Sequence, residues 1–225
     1  MSIPQEYEAY INEKISIIQQ KLLKWYEKNV RVFPWRMTRD PYKILVAEIM
    51  LQRTKAEQVA PVYEEFISVF PDPKSLEKSK KEDIRAFFSR LGLLWRSDLL
   101  IKLANDLVKR FDGKVPQNRE ELLSLPAVGD YIADAILSFA YGVDVAVVDS
   151  NVCRILCRIF GLSARGEARR DKHLRLLAQK LVPKGKSREF NWAIIDLASI
   201  VCTPRGPKCE KCPLIDECFY ATRKL

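Results

Sequence analysis

Apolar residues recur every three or four positions along almost the whole chain, and no stretch alternates apolar and polar residues long enough to form a strand. Ile11, Ile15, Ile18, Leu22, Leu23 and Tyr26 set one apolar stripe on a helix over 5–29, opposite a face rich in Lys and Glu. FPWR at 33–36 breaks the pattern, and Pro41 suits the first turn of a helix over 41–53. The spacing predicts further helices at 57–69, 82–89, 97–111, 118–124, 130–141, 150–160, 171–182 and 188–201. Breakers fall between them: PDP at 71–73, Gly92, GKVP at 113–116, Gly142 and Gly161. VAVV at 145–148 is too short to imply a sheet, so the fold class is all-α. Neither a linker between consecutive domains nor a fixed-period repeat is visible.

Composition narrows the classes of function. Charged residues make up 30% of the 225 and glycine contributes only 8, which fits ordered, helix-rich structure rather than disorder. Lys and Arg number 38 against 29 Asp and Glu, an excess that suits either a basic, soluble surface or a polyanion partner. No apolar stretch approaches the roughly 20 residues of a membrane span. The opening MSIPQEYEAYINEK is unlike a signal or transit peptide. The expectation is an intracellular protein of the cytoplasm or nucleoid with no membrane partner.

Four of the six cysteines, Cys202, Cys209, Cys212 and Cys218, crowd into seventeen positions with the spacing C-x6-C-x2-C-x5-C. In an intracellular chain this favours a metal site over disulfides, and zinc and an iron–sulfur cluster both accept four thiolates. Cys153 and Cys157 lie in an apolar helical run and are expected to be ordinary buried residues.

Three other places could carry chemistry. Glu48 is the only charged residue of ILVAEIML (44–51), and on a helix it shares a face with Ile44 and Leu51. Either it points to water from the edge of that face, or it is desolvated. Desolvation raises a carboxyl's pKa and lets it hold the proton a general acid needs. Asp149 precedes SNVCRILCRIFG as an N-cap, a position whose helix amides hold a carboxylate ionised while its free oxygen can face a cleft. Asn151 projects from the same first turn, and the lone histidine, His173, carries no motif. Finally, NREELLSL, PAVG and DYIADAILSFAYG make two helices joined by a tight turn. The exposed backbone N–H groups of such a turn can hold a phosphate oxygen without reading a base.

LPAVGDY, VDSNV about twenty residues later and the terminal cysteine run together resemble the helix-hairpin-helix DNA glycosylases of the endonuclease III and MutY superfamily. PYKILVAEIMLQRT (41–54) is similar to the PYxxxxxExMLQQT segment of the adenine glycosylase MutY, and FNWAIIDLASIVCTPRGPKCEKCPL (190–214) to the segment leading into these families' cluster. The resemblance runs from FPWR onward. It implies a 4Fe-4S cluster on Cys202, Cys209, Cys212 and Cys218, rather than zinc. It implies two helical domains with a DNA-binding cleft between them: a six-helix barrel carrying the helix-hairpin-helix over 34–145, and a cluster domain of 1–33 with 146–225.

The resemblance also implies roles. Asp149 matches the aspartate that stabilises positive charge on the sugar as the glycosidic bond breaks, and Asn151 an asparagine beside it. Glu48 matches the glutamate with which MutY protonates departing adenine. Gln52 and Arg53, followed by Thr54, correspond to side chains entering the gap left by a flipped nucleotide. Ala127, Val128 and Gly129 form the phosphate-holding turn, where both families usually carry glycine at the position of Ala127; its methyl is expected to tilt or loosen that contact. Arg205, Lys208 and Lys211 read as phosphate contacts beside the cluster. Tyr131 stands where lyase members carry a Schiff-base lysine, so a monofunctional enzyme leaving an abasic site is expected.

Tyrosine occurs there in some MutY enzymes and in archaeal mismatch glycosylases acting on thymine or uracil opposite guanine. The chain's end seven residues past Cys218, the Gln–Arg of LQRT, and VPKGKSREFN with CTPRGPKCEKC favour the thymine/uracil reading. EIMLQ keeps an adenine glycosylase, acting on A opposite G or 8-oxoguanine, as the alternative. The partner implied is double-stranded DNA with a mismatched or damaged base, bound by a monomer.

Overall fold

A computed structural model describes residues 5–92, 94–163 and 167–223, with side chains from residue 12 onward. The Ile11 side chain of the expected apolar stripe lies outside the described residues. The helices are α1 (Gln5–Asn29), α2 (Pro41–Leu51), α3 (Ala56–Val69), α4 (Pro73–Glu77), α5 (Lys81–Arg90), α6 (Leu94–Phe111), α7 (Arg119–Leu123), α8 (Asp130–Phe139), α9 (Ser150–Phe160), α10 (Lys172–Leu181), α11 (Ser187–Ile200) and α12 (Phe219–Thr222). The described residues contain no strand, and no helix among them is long and apolar enough to cross a membrane.

The chain divides into two compact units, one of residues 32–141 and the other of 1–31 with 142–225. The 32–141 unit holds α2 to α8 and a single 3-10 turn, Pro34–Arg36, inside the FPWR break. Its axis is α2, which packs against α3, α8 and the 3-10 turn. Every residue from Ile44 to Met50 is buried, so α2 is enclosed all round rather than on one stripe. The flanking core is aromatic: Phe66 meets Phe70, Phe87 and Phe88, while Trp35 stacks on Phe33 at 5.0 Å and meets Tyr63 edge-on at 5.4 Å.

Local chemistry moves several helix ends away from the sequence expectation. Asp40 accepts hydrogen bonds from the N–H groups of Tyr42 and Lys43, fixing the start of α2 at Pro41. α2 stops at Leu51 instead of residue 53 because Arg53 turns into the left-handed region, φ +62°. PDP is not merely a turn: Asp72 and Ser75 cap each other reciprocally and launch α4. That one-turn helix brings the unit to seven among the described residues, where the sequence suggested six.

In the other unit α1 packs against α10 and α11, and α9 against α10, α11 and α12. Ile15, Ile18 and Leu22 bury the inner face of α1. Asp196 of α11, fully buried, is paired with Arg31 at 3.6 Å. VAVV is an extended run whose backbone is satisfied by side chains, not by a second strand. Asn191 accepts from Val147 N–H at 3.1 Å and donates to Val145 C=O at 2.8 Å, and Gln179 accepts from Ala146 N–H at 3.0 Å. α9 ends at Gly161, whose φ is +66° and where the ring of Phe219 lies 2.6 Å from the place a Cβ would take.

Candidate functional site

In the 32–141 unit the sequence-assigned residues sit on α2, α8 and the turns beside them. Glu48 is 4% exposed. It does not look out from the edge of a face with Leu51, which is half-buried; it is buried with the rest of α2 from Ile44 to Met50. Tyr131, half-buried, stands in the first turn of α8, the helix packed on α2.

The turn after α2 carries Gln52, Arg53 and Thr54. Gln52 is extended, Arg53 is exposed in a left-handed conformation, and Thr54 N–H closes the turn on Leu51 C=O at 3.2 Å. Arg96 braces this turn from behind, with 4% of its surface exposed. Its Nη1 donates to Ile49 C=O at 2.8 Å and to Gln52 C=O at 3.1 Å, capping carbonyls that a helix end leaves without partners. Burial, with Arg53 nearby, pulls the guanidinium below its ordinary range. Sequence reasoning passed over Arg96 because it sits inside an amphipathic helical pattern.

The hairpin is α7, the turn 124–129, and α8. Asn118 caps α7 through the N–H groups of Glu120 and Glu121. Val128 N–H closes the turn on Leu125 C=O, and Ala127 sits at φ +65°. Gly129, by contrast, has an ordinary φ of −103° and open space around the place a Cβ would take. Neither turn geometry nor internal packing therefore requires glycine there. Its effect is to leave the start of α8 uncovered and without a side-chain cap, with the helix's positive end facing outward. Arg119 at the start of α7 reaches Asp134 through Nε at 2.8 Å and Asp130 through Nη2 at 2.5 Å. Those two bonds, the one to Asp134 foremost, raise the guanidinium's pKa further above its ordinary value.

The other unit holds Asp149 and Asn151. Asp149 Oδ1 caps α9, accepting from Asn151 N–H at 2.9 Å and Val152 N–H at 2.8 Å. Its Oδ2 accepts from Asn151 Nδ2 at 2.6 Å, and Asn151 Oδ1 accepts from Arg154 Nη1 at 2.7 Å. Arg154 continues to the carbonyls of Ala198 and Cys202 at 2.9–3.1 Å. A chain of hydrogen bonds thus runs from the carboxylate to the cysteine loop. Arg158, one turn on, donates to Cys202 Sγ at 3.2 Å and to Thr203 C=O at 2.8 Å, and lies over the Tyr220 ring. Neither arginine was singled out from sequence; both are hidden in CRILCR, at positions i and i+4 of α9.

Cys202, Cys209, Cys212 and Cys218 line one small cavity together with Arg158, Val201, Ile215 and Tyr220. All four are free thiols, and burial pushes Cys212 up to about 11. No three His, Cys, Asp or Glu side chains among the described residues converge as ligands of one metal ion. Arg205, Lys208 and Lys211 are exposed around this loop. Cys153 is buried as expected, whereas Cys157 is only half-buried. His173 is exposed near the start of α10.

Residues 46–184 match the HhH-GPD superfamily of base excision DNA repair proteins. Over 210 residues the chain is 39% identical to the thymine/uracil-DNA glycosylase of Methanothermobacter thermautotrophicus, covering 93% of this chain and 95% of that one. The adenine DNA glycosylase of Buchnera aphidicola subsp. Schizaphis graminum is 35% identical over 212 residues, covering 93% of this chain but 61% of its own length. The solved structure of a thermostable thymine-DNA glycosylase is similar at a TM-score of 0.87 and 37% identity, covering 94% of this chain and 98% of its own.

Proposed function

Because the chain belongs to the HhH-GPD superfamily of base excision DNA repair proteins, we propose that it is a monofunctional DNA glycosylase, which as a monomer removes thymine or uracil mispaired with guanine. The observation that carries the choice of base is the 39% identity to a thymine/uracil-DNA glycosylase along nearly the full length of both chains. The adenine glycosylase is less similar and is matched over only 61% of its length.

The chemistry assigned to the residues follows from their surroundings. The uncovered start of α8 takes a phosphate oxygen, positioning the duplex without reading it. Gln52 and Arg53 enter the space a flipped nucleotide leaves, carried on a turn that Arg96 stiffens from inside. Asp149, held in place by two backbone N–H groups and Asn151, opposes the positive charge that grows on the sugar as the N-glycosidic bond lengthens. Glu48, buried on α2, delivers a proton to the departing base. Water then bonds to the anomeric carbon and loses a proton, leaving an abasic site. Tyr131 faces the flipped nucleotide and supplies no amine, so no Schiff base forms.

The cysteine cavity suits a 4Fe-4S cluster held by Cys202, Cys209, Cys212 and Cys218. Four cysteines lining one cavity supply the thiolate set such a cluster takes, and the resemblance to the endonuclease III and MutY superfamily favours it over zinc. When bound, the cluster would cross-link the loop 202–218 and set Arg205, Lys208 and Lys211 on a fixed frame.

Single-turnover base release from G·T, G·U, G·A and 8-oxoguanine·A duplexes tests the reading. Release from the first two is expected, and activity confined to the adenine duplexes would overturn the choice of base. Borohydride trapping on the same duplexes is expected to yield no covalent complex; clear trapping would sink the monofunctional assignment.

A further inference from the structure

The start of α8, which the proposed function gives to a DNA phosphate, carries an acid of its own. Asp130 is the first residue of the helix and its side chain is 61% exposed. An acid there favours the helix, because it meets the positive end of the dipole. It also opposes a phosphate approaching that end from outside. One turn along, Asp134 is almost fully buried, with 1% of its side chain exposed. Arg119 joins the two. Asp134 takes Nε at 2.8 Å and fixes the plane of the guanidinium, and the edge left over is held 2.5 Å from Asp130.

We propose that Asp130 limits how tightly the hairpin holds DNA, and that Arg119, anchored on Asp134, is the positioning residue that offsets it. The proposal rests on the glycosylase reading and adds to it a setting for the strength of the phosphate grip. Two carboxylates and one guanidinium leave the trio at a formal charge of −1. The enzyme therefore grips duplex less tightly than a bare helix end would, and leaves undamaged DNA sooner. A brace that only stabilised the hairpin would make no difference to affinity when the exposed acid is neutralised, since exposed ion pairs contribute little to folding.

Substitutions move the trio in steps. Asp130→Asn brings its formal charge to 0, Arg119→Gln to −2, and the double variant back to −1. Equilibrium binding of the whole protein would be measured on an undamaged duplex and on one carrying an uncleavable abasic analogue opposite guanine, at about 50 and 300 mM salt. Asp130→Asn is expected to bind both duplexes about three- to tenfold tighter at the lower salt, with the gain shrinking at the higher as exposed charge is screened. Arg119→Gln is expected to bind weaker by a similar factor, and the double variant to return close to the parent. Asp130→Asn keeps the test open if loss of Arg119 unfolds the hairpin, because it leaves the Arg119–Asp134 bond in place. Unchanged or weaker binding by Asp130→Asn, in a protein whose parent binds DNA and releases base, would overturn the proposal and leave the glycosylase reading standing. A parent that neither binds duplex nor releases base would remove both.

Discussion

At the scale of single residues, the clearest departure from backbone convention is Ala127. A left-handed φ of +65° costs an L-residue about 1–2 kcal/mol relative to glycine. Replacing it by glycine relieves that strain but loosens the unfolded chain by about 0.4–1 kcal/mol. Ala127→Gly should therefore raise stability by roughly 0.5–1 kcal/mol, seen as a melting temperature higher by about 2 °C; no rise would show that the turn accommodates the methyl without strain. Asp149 makes the opposite kind of prediction. Asp149→Asn keeps one oxygen to cap α9 but removes the charge. Binding to a mismatched duplex should persist while single-turnover base release falls by about a hundredfold or more. An unchanged rate would remove the role given to that carboxylate. Both positions were legible in the sequence by residue type. The strain at Ala127 was not, because φ follows from how the two flanking helices close the turn.

At the scale of elements, what matters is how helix ends are held. α2 ends in a kinked turn whose carbonyls are capped from within by Arg96, a buried guanidinium bonded to backbone carbonyls. Replacing it by methionine removes two charge-assisted hydrogen bonds and also a costly buried charge, so global stability should shift little. The turn should instead open locally: in Arg96→Met the Thr54 amide should exchange about tenfold faster by NMR, and unchanged exchange would show that the turn holds its shape alone. α9 is fixed at both ends, by the Asp149 cap and by Gly161 under the Phe219 ring. The longer helices were readable from periodicity and breakers, whereas the one-turn α4 and α12 were not. Helix ends were not, where a long-range partner decided them, as Arg96 does for α2, or where a local capping box turned an apparent break into α4.

For the molecule as a whole, the unit of 1–31 with 142–225 is built from both ends of the chain, and Lys21 of α1 reaches Asp216 and Glu217 in the cysteine loop at 3.1 and 2.9 Å. A cluster bound there would stabilise this unit by mass action. The purified protein should be brown and carry about four irons per chain. Stripping them should lower the melting of one calorimetric transition more than the other; colourless protein with stoichiometric zinc would refute the assignment. The sequence by itself determined the helical class, the positions of most helices, the cap at Asp149, the cysteine quartet and the motifs that carry the family resemblance, because periodicity, capping residues and short motifs are local properties of the chain. Only the tertiary structure decided that α2 is enclosed on all sides and buries Glu48, that four cysteines ring one cavity, and that Arg96, Arg119, Arg154 and Arg158 brace the sites. Burial and a guanidinium's partners depend on residues tens of positions away, and those distances do not exist until the helices pack.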